Sequence, residues 1–359
     1  MRQCNETKSF TMSTLSWNEL FPSKLSFIIF FGYIFLFVNQ GILVTASQKS
    51  NNQYDYSIVT VVLFTEILKL VISSLLYLRE NTSSQLIKDI ANNRKVLVLY
   101  FVPAFLYCFY NNLAFINLSS FDPTTYYLLL QFRVVVTGIL FQVIFRKVLS
   151  IKQWISLIIL TLGCMLKQIN FTQEHNSSQA INKASSVSFG LDAIFIFIQI
   201  ICSCLAGVYN EYLLKKQGAS INIFVQNVFM YLDSIICNLL LLILNGNLFY
   251  SFAYDNIAKL FHYKVILVMI NNAAIGIVTS FFLKTLNSIL KTFASALELV
   301  FTALLSYLLF SIPIYLNTVL SILTVMCATF LYSQNPVQNP PKPVQHKAEK
   351  EALLQNEEV

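Results

Sequence analysis

The chain has 359 residues, of which 56% are hydrophobic and 14% aromatic, and only 11% are charged, where a soluble protein carries about 25% charged residues. This composition excludes an ordinary soluble domain, and nine Gly and eight Pro leave little material for loops. Several apolar runs are long enough to cross a hydrocarbon core roughly 30 Å thick. The sequence therefore predicts an all-α membrane protein, whose net charge of +7 indicates topology rather than binding to nucleic acid.

Hydropathy divides the chain into ten predicted membrane spans. They are residues 25–46, 57–78, 96–116, 123–145, 153–169, 189–213, 222–244, 263–283, 289–311 and 313–333. We expect a tight turn at Pro313 between the last two, because proline favours the first turn of a new helix. The predicted organisation is a cytosolic segment 1–24, a first five-helix half 25–169, a lumenal loop 170–188, a second half 189–334 and a cytosolic tail 335–359, whose composition is typical of disorder.

Lys and Arg are distributed unevenly between the two sides of the membrane. Seventeen lie in the two termini and in alternate connections, against five in the opposite segments. Because positive charge accumulates on the cytosolic side, both termini are predicted to be cytosolic. The lumenal loop 170–188 carries glycosylation sequons at Asn170 and Asn176, and whether either is glycosylated stays open.

Features of catalysis and of metal binding are lacking in the sequence. Six of the seven cysteines lie inside apolar runs, which argues against a disulfide framework. Cys202 and Cys204 have no nearby His to complete a zinc site. Since neither a Ser-His-acid set nor a phosphate-binding glycine loop is visible, we predict that the protein is not an enzyme and has no metal or cofactor.

Two Asn-Asn pairs indicate an internal repeat. They lie at 111–112 in the third predicted span and at 271–272 in the eighth, and the next span of each half contains a cation, Arg133 or Lys291. Because each half has five spans, the second half starts from the opposite side of the membrane. The repeat is therefore predicted to be inverted, with a 5+5 architecture.

Arg133 lies near the middle of the fourth predicted span, where insertion of a cation costs about 2.5–3.5 kcal/mol. One interpretation is an anion ligand, since a guanidinium offers a planar fork to phosphate oxygens. The other is a buried ion pair. The candidate partners for that pair are Glu66, Glu211, Asp233 and Glu298.

The remaining charges in the spans have local explanations as well as functional ones. Two pairs stand at helical spacing, which predicts intrahelical ion pairs; they are Glu66 with Lys69 and Glu211 with Lys215. Lys284 and Lys291 flank the short turn between the eighth and ninth spans. They are either topology signals or a phosphate clamp opposite Arg133, and the sequence leaves both readings open.

Five segments together resemble the nucleotide-sugar transporter family, in its UDP-galactose and CMP-sialic acid branch. They are residues 65–69, 110–115, 122–133, 206–211 and 287–291. The similarity runs from about Trp17 to Gln334. It implies ten transmembrane helices in an inverted repeat, as in drug/metabolite transporters, and exchange of a nucleotide sugar for a nucleoside monophosphate.

The resemblance also implies site residues, carried onto matching positions. The base- and sugar-side contacts are Asn112, Tyr126, Asn227 and Thr279, and the phosphate contacts are Arg133 and Lys284, with Lys291 beside them. Two departures from the family pattern concern charge. Arg133 stands where Lys is usual, and the carboxylates Asp233 and Glu298 stand where small residues are usual. We hypothesise that these carboxylates pair with Arg133 or Lys291 in the empty carrier.

The function implied is a Golgi membrane antiporter that imports UDP-galactose into the lumen in exchange for UMP. The alternatives are transport of another UDP-sugar, such as UDP-N-acetylglucosamine, and a non-transporting membrane scaffold or regulator. The expected partners are the UDP-sugar, UMP and the lipid bilayer, with no nucleic acid. A homo-oligomer, a complex with Golgi glycosyltransferases, and residence in the endoplasmic reticulum instead of the Golgi stay open.

Overall fold

The computed structural model describes residues 21, 23–47, 56–120, 123–168, 191–244, 246, 248–310 and 315–337, which form helices and no strand. In chain order the helices are α1 Lys24–Ser47, α2 Ile58–Leu78, α3 Ser83–Asn92, α4 Arg94–Ser120, α5 Pro123–Leu130, α6 Arg133–Phe145, α7 Ile151–Gln168, α8 Leu191–Tyr212, α9 Ile223–Leu244, α10 Leu248–Ser251, α11 Tyr254–Leu260, α12 Tyr263–Thr285, α13 Ser288–Phe310 and α14 Leu316–Ser333. A π-helical turn, Leu213–Gln217, continues α8.

Eight segments of these helices are long and apolar enough to cross a membrane. They are Lys24–Val44, Ile58–Leu78, Leu128–Phe145, Ile194–Gln217, Ile223–Leu244, Tyr263–Thr285, Ser288–Leu305 and Leu316–Ser333. Each coincides with a predicted span, so the prediction of a multi-span helical membrane protein is confirmed. The other two predicted spans, 96–116 and 153–169, fall on α4 and α7. The short helices α3, α10 and α11 lie in connections for which the sequence predicted no element.

Reciprocal side-chain caps begin two of the long helices. At α1, Ser23 and Ser26 each accept a hydrogen bond from the other's backbone N–H, at 3.1 and 3.2 Å. At α7, the Ser150 N–H donates to the Gln153 side chain at 2.8 Å, and the Gln153 N–H donates to the Ser150 hydroxyl at 3.3 Å. Because such caps satisfy N–H groups that have no partner within the helix, they fix where each helix starts.

The fourth predicted span is interrupted. We expected one continuous helix over 123–145, whereas the chain turns at residues 131–132 and so separates α5 from α6. Around this turn the backbone bonds are of the tighter i to i−3 kind, from Gln131 N to Leu128 O at 3.2 Å and from Phe132 N to Leu129 O at 3.1 Å. Arg133 is consequently the first residue of α6 rather than the middle of a helix.

The helices form one bundle through a set of close pairs. These pairs are α7–α14, α4–α8, α1–α12, α2–α9, α4–α9, α6–α8, α2–α12 and α1–α13. The largest buried apolar cluster lies among α1, α6, α7, α12, α13 and α14 and includes Tyr33, Phe282, Phe293 and Tyr332. Apolar side chains such as Ile28 and Phe35, each 65% exposed, point away from the bundle, as lipid-facing residues do.

Several predictions fall on residues outside those described. They concern most of the cytosolic segment 1–24, the loop 170–188 with its sequons, the turn at Pro313 and residues 338–359 of the tail. The first residues of the predicted tail are described, and they pack against the start of α7. There the Asn335 side chain donates to the Ser150 hydroxyl at 2.9 Å, and the Asn335 carbonyl accepts from the Gln153 side chain at 2.9 Å.

Candidate functional site

A cavity of about 120 Å³ lies among α4, α6, α7, α8 and α13. Arg133 and Lys291 both line it, together with Gln131 and the ring of Tyr107. Aliphatic hydroxyl groups also line it, from Thr137, Ser203, Ser288, Thr292 and Ser295. The wall therefore combines two cations with many small hydrogen-bonding groups, a chemistry suited to a polar anion.

The turn at residues 131–132 positions Arg133 at the cavity. The Arg133 carbonyl accepts a 2.7 Å hydrogen bond from the Thr137 hydroxyl and a 3.3 Å bond from the Cys204 thiol of α8. These bonds fix the first turn of α6 against α8. Because α6 starts here, Arg133 and Thr137 are one turn apart and reach the same cavity wall.

The N-terminal turn of α13 positions Lys291. The Asn287 side-chain oxygen accepts from the Leu290 N–H at 2.8 Å, which caps the helix, and the Lys291 N–H donates to the Asn287 carbonyl at 3.0 Å. Two cations then face one small cavity inside the bundle. Such an arrangement is costly while empty and is stabilised by an anion between them.

Tyr126 is held by a chain of buried side chains. The Gln199 amide donates to the Tyr126 hydroxyl at 2.8 Å, and the Asn117 amide donates to the Gln199 side-chain oxygen at 2.6 Å. The chain joins α4, α5 and α8. Tyr126 is not among the residues that line the cavity, so its substrate contact remains a prediction.

Asn227 and Thr279, two of the other predicted base- and sugar-side residues, are not among the residues that line the cavity. Asn227 is buried in α9, and within the described part of the chain its side-chain nitrogen has no hydrogen-bond partner. Thr279 lies in α12, and Asn112 lies in α4 with its side chain outside the described part of the structure. An orphaned buried donor such as that of Asn227 is a group for which a ligand would supply the missing acceptor.

Lys284 and Lys291 are separated by the turn between α12 and α13. The Lys284 ammonium lies 3.4 Å from the Ile221 carbonyl oxygen, just before α9, whereas Lys291 lines the cavity. Of the seven predicted substrate contacts, the structure thus brings Arg133 and Lys291 together. A phosphate contact by Lys284 stays a prediction.

Both predicted intrahelical ion pairs are confirmed. Glu66 and Lys69 lie 2.5 Å apart, and Glu211 and Lys215 lie 2.7 Å apart. Lys69 also lies 5.0 Å from the centroid of the Tyr231 ring, a favourable cation–π distance. These carboxylates therefore have lysine partners on their own helices.

The two carboxylates that depart from the family pattern lie on different helices. Asp233 is buried in α9, and among the residues that the structure describes its Oδ2 has no hydrogen-bond partner and its carboxylate forms no ion pair. Glu298 lies in α13, two turns after Lys291. Their pairing with the cavity cations in the empty carrier remains a hypothesis.

Beside Lys291, three small polar residues of α13 line the cavity that were not singled out from the sequence. Ser288, Lys291, Thr292 and Ser295 all line the cavity. They stand at spacings of three, four and seven residues from Ser288, so they share one face of the helix. This periodicity in an otherwise apolar span is the signal that would have found them.

The comparisons with known proteins decide the family. The family model described as nucleotide-sugar transporter matches residues 24–333. The chain belongs to the nucleotide-sugar transporter family. It is 59% identical over 353 residues to the UDP-galactose transporter senju of Drosophila melanogaster, covering 91% of each protein. It is 30% identical over 299 residues to CMP-sialic acid transporter 1 of Oryza sativa subsp. japonica, covering 82% of this chain and 89% of that protein.

A solved crystal structure of another protein shares the fold of this transporter-family chain. The TM-score is 0.59 at 12% sequence identity, and the match covers 87% of this chain and 97% of that one. At this identity the likeness concerns the fold alone. It agrees with the helical architecture described above.

Proposed function

We propose that this chain is a Golgi antiporter that imports UDP-galactose into the lumen in exchange for UMP. The Drosophila relative that is 59% identical over nearly the whole chain is named a UDP-galactose transporter, and we assign the same cargo here. The observation that carries a nucleotide anion as cargo is the shared cavity of Arg133 and Lys291. In this proposal the protein moves its cargo without a chemical step and uses no cofactor.

Exchange follows from the charge of the cavity. UDP-sugars bear about two negative charges near pH 7, and UMP bears about 1.5 to 2, since its second phosphate pKa is about 6. Either nucleotide therefore neutralises Arg133 and Lys291, and the swap is nearly electroneutral. An empty cavity with two cations is costly to enclose, so the carrier returns only when it is loaded.

We further propose ten membrane-spanning segments in a 5+5 inverted repeat. Eight of them are the apolar segments described above, in which α5 and α6 count as one span, and α4 and α7 are the other two. If the two halves are related by the repeat, each helix of the first half has a counterpart in the second. The counterparts are α1 and α8, α2 and α9, α4 and α12, α6 and α13, and α7 and α14. When every helix is replaced by its counterpart, the close pair α4–α8 corresponds to α12–α1, α4–α9 to α12–α2, and α6–α8 to α13–α1. All six of these helix pairs are in contact. This pattern supports the repeat.

The two cavity cations occupy related helices in this arrangement. Arg133 begins α6, and Lys291 lies in the first turn of α13, its counterpart in the second half. Sites at the interface of two repeats are typical of transporters that work by alternating access. With both termini in the cytosol, the turn between α12 and α13 faces the cytosol.

The test is uptake of radiolabelled UDP-galactose into proteoliposomes that are preloaded with UMP or left empty. We expect uptake that is stimulated by internal UMP and abolished by Arg133→Ala. UDP-N-acetylglucosamine, UDP-glucose and CMP-sialic acid serve as competing substrates. If the protein prefers one of them, that compound takes the place of UDP-galactose as the proposed substrate. Absence of uptake of every nucleotide sugar by folded protein would overturn the proposal and favour a scaffold or regulator.

A further inference from the structure

A buried ion pair joins the end of α8 to the turn between α12 and α13. Glu211, which is 1% exposed, accepts two hydrogen bonds at Oε2, from the Ser288 N–H at 2.7 Å and from the Ser288 hydroxyl at 2.5 Å. Its Oε1 lies 2.7 Å from the Lys215 ammonium. The same ammonium donates to the Leu286 carbonyl. One ion pair therefore holds both sides of the turn.

Ser288 connects this contact to the cavity. It is the first residue of α13 and lines the cavity together with Lys291, which follows one helical turn later. The turn itself is buried, with Leu286, Asn287 and Ser288 at most 3% exposed. The first turn of α13 therefore has to break its bonds to Glu211 before it moves away from α8.

Other chain segments contact each other close to the turn between α12 and α13. The Asn287 side chain donates to the Val337 carbonyl at 3.4 Å, beyond the end of α14. The Phe145 ring at the end of α6 contacts the Tyr212 ring at the end of α8, with centroids 6.1 Å apart. The helices that carry Arg133 and Lys291 are thus drawn together with α8 at one end of the cavity.

Lys147, in the connection after α6, lies within electrostatic reach of the same pair. Burial lowers the pKa of Lys147, and the positive charges of Lys215 and Lys216 lower it further, while Glu211 acts in the opposite direction. In the predicted topology all three lysines belong to cytosolic segments. The contact around Glu211 therefore lies at the cytosolic end of the bundle.

A buried carboxylate favours two discrete states. While three donors satisfy Glu211, the charge is stabilised in the absence of water; once the donors leave, the carboxylate has to be hydrated. A partly separated arrangement would leave the charge unsatisfied. The contact therefore is either fully made or open to water, as a gate requires.

We propose that Glu211, with Lys215 and Ser288, is the latch that closes the cytosolic end of the cavity. Glu211 is a positioning residue, because it acts on the cavity through Ser288 and the first turn of α13. When the latch opens, this turn moves with Lys291 and admits the cytosolic nucleotide. The role of this latch as a gate for substrate rests on the proposed transport function, but it does not depend on which sugar is transported.

Cys204 offers a direct readout, because it lines the same cavity. The experiment uses the full chain with Cys204 as its only cysteine, in sealed vesicles whose cytosolic face is outward, and the protease sensitivity of a C-terminal tag verifies the orientation. A membrane-impermeant anionic thiol reagent then reaches Cys204 only from the cytosolic side. Without substrate, we expect Glu211→Gln to raise the labelling rate on the order of tenfold, because the charged acceptor of the latch is lost.

Matched variants separate the latch from a general loss of packing. Ser288→Ala removes one of the two Ser288 donors and is expected to give an intermediate rate. Ser321→Ala removes a comparable buried hydroxyl, which donates to the Gly163 carbonyl at 2.6 Å between α14 and α7, and is expected to label as slowly as the unmodified chain. The double variant Glu211→Lys with Lys215→Glu swaps the two charges. It keeps an ion pair but provides no acceptor for Ser288, so Cys204 should be labelled as fast as in Glu211→Gln.

The labelling assay tests the latch and the uptake assay tests transport, so each proposal can be refuted without the other. If folded Glu211→Gln and Ser288→Ala proteins both label at the unmodified rate, or if labelling rises equally in Ser321→Ala, the latch proposal is overturned. Restoration of slow labelling by the charge exchange would also overturn it, since the pair would then act without Ser288. Accelerated labelling in a chain that carries no nucleotide sugar would refute the transport function and leave the latch intact.

Discussion

The Gln199 side-chain amide donates a 2.8 Å hydrogen bond to the hydroxyl of Tyr126 across the interface of α8 and α5. Gln199 is 0% exposed and Tyr126 is 3% exposed, so neither group exchanges this bond for one to water. The Gln199 oxygen also accepts from Asn117 at 2.6 Å. Tyr126 is therefore fixed by a network that reaches α4.

We predict that Gln199→Leu destabilises the protein by about 1–3 kcal/mol, because it leaves the buried Asn117 amide without an acceptor. The measurement is the melting temperature of the purified protein in detergent. Tyr126→Phe and the double variant complete a thermodynamic cycle, in which we expect a coupling energy of about 0.5–3 kcal/mol. Additive effects of the two changes would contradict the hydrogen bond.

Arg133 and Lys291 should contribute to affinity chiefly through charge. Loss of one charge-assisted hydrogen bond costs about 1.5–3 kcal/mol, which corresponds to a KM for UDP-galactose raised roughly 10- to 100-fold. We expect this for Arg133→Gln and for Lys291→Met, and a smaller increase for Arg133→Lys, which keeps the charge but loses the fork. Uptake into proteoliposomes measures it.

The control for the cavity cations is Lys259→Gln, which removes an exposed lysine in α11. It is expected to leave the KM unchanged. An equal rise in KM for Lys259→Gln and Lys291→Met would mean that net charge, rather than the cavity, sets the affinity.

Gly163 lets α7 approach α14 closely. A Cβ added at Gly163 would lie 3.1 Å from side-chain atoms of Thr324 and 3.2 Å from one of Val325. We therefore predict that Gly163→Ala destabilises the protein by about 1–3 kcal/mol. Gly32→Ala is the same chemical change in α1, where no described atom beyond the neighbouring residues and the helix's own backbone lies within 4 Å of the added Cβ. A melting temperature lowered equally by both changes would refute this contact.

The ion pair of Glu66 and Lys69 should matter most when only one partner is removed. The side chains are each 13% exposed, and Glu66 Oε2 has no hydrogen-bond partner in the described part of the structure. Lys69→Met leaves the carboxylate uncompensated, so we expect a loss of about 3–5 kcal/mol. The double variant Glu66→Gln with Lys69→Met should recover most of this loss in thermal unfolding. A double variant less stable than Lys69→Met would contradict the pairing.

Local sequence determined where most of the long apolar helices lie, and it determined the two lysine pairs. Runs of apolar residues long enough to cross a bilayer predict helices wherever they occur, because in lipid a helix satisfies its own backbone hydrogen bonds. The pairs of Glu66 with Lys69 and of Glu211 with Lys215 follow from spacing within one helix. The family resemblance also rests on short contiguous segments. Each of these inferences depends on residues that are neighbours in the chain.

Only the tertiary structure decided which distant groups meet. Lys291 rather than Lys284 shares the cavity with Arg133, and Glu211 contacts Ser288 across a separation of 77 residues. The turn that separates α5 from α6 lies inside an apolar run and carries no Gly or Pro at residues 131–132. These features depend on how whole helices pack against each other, and the packing energy is shared among many side chains whose partners no local pattern specifies.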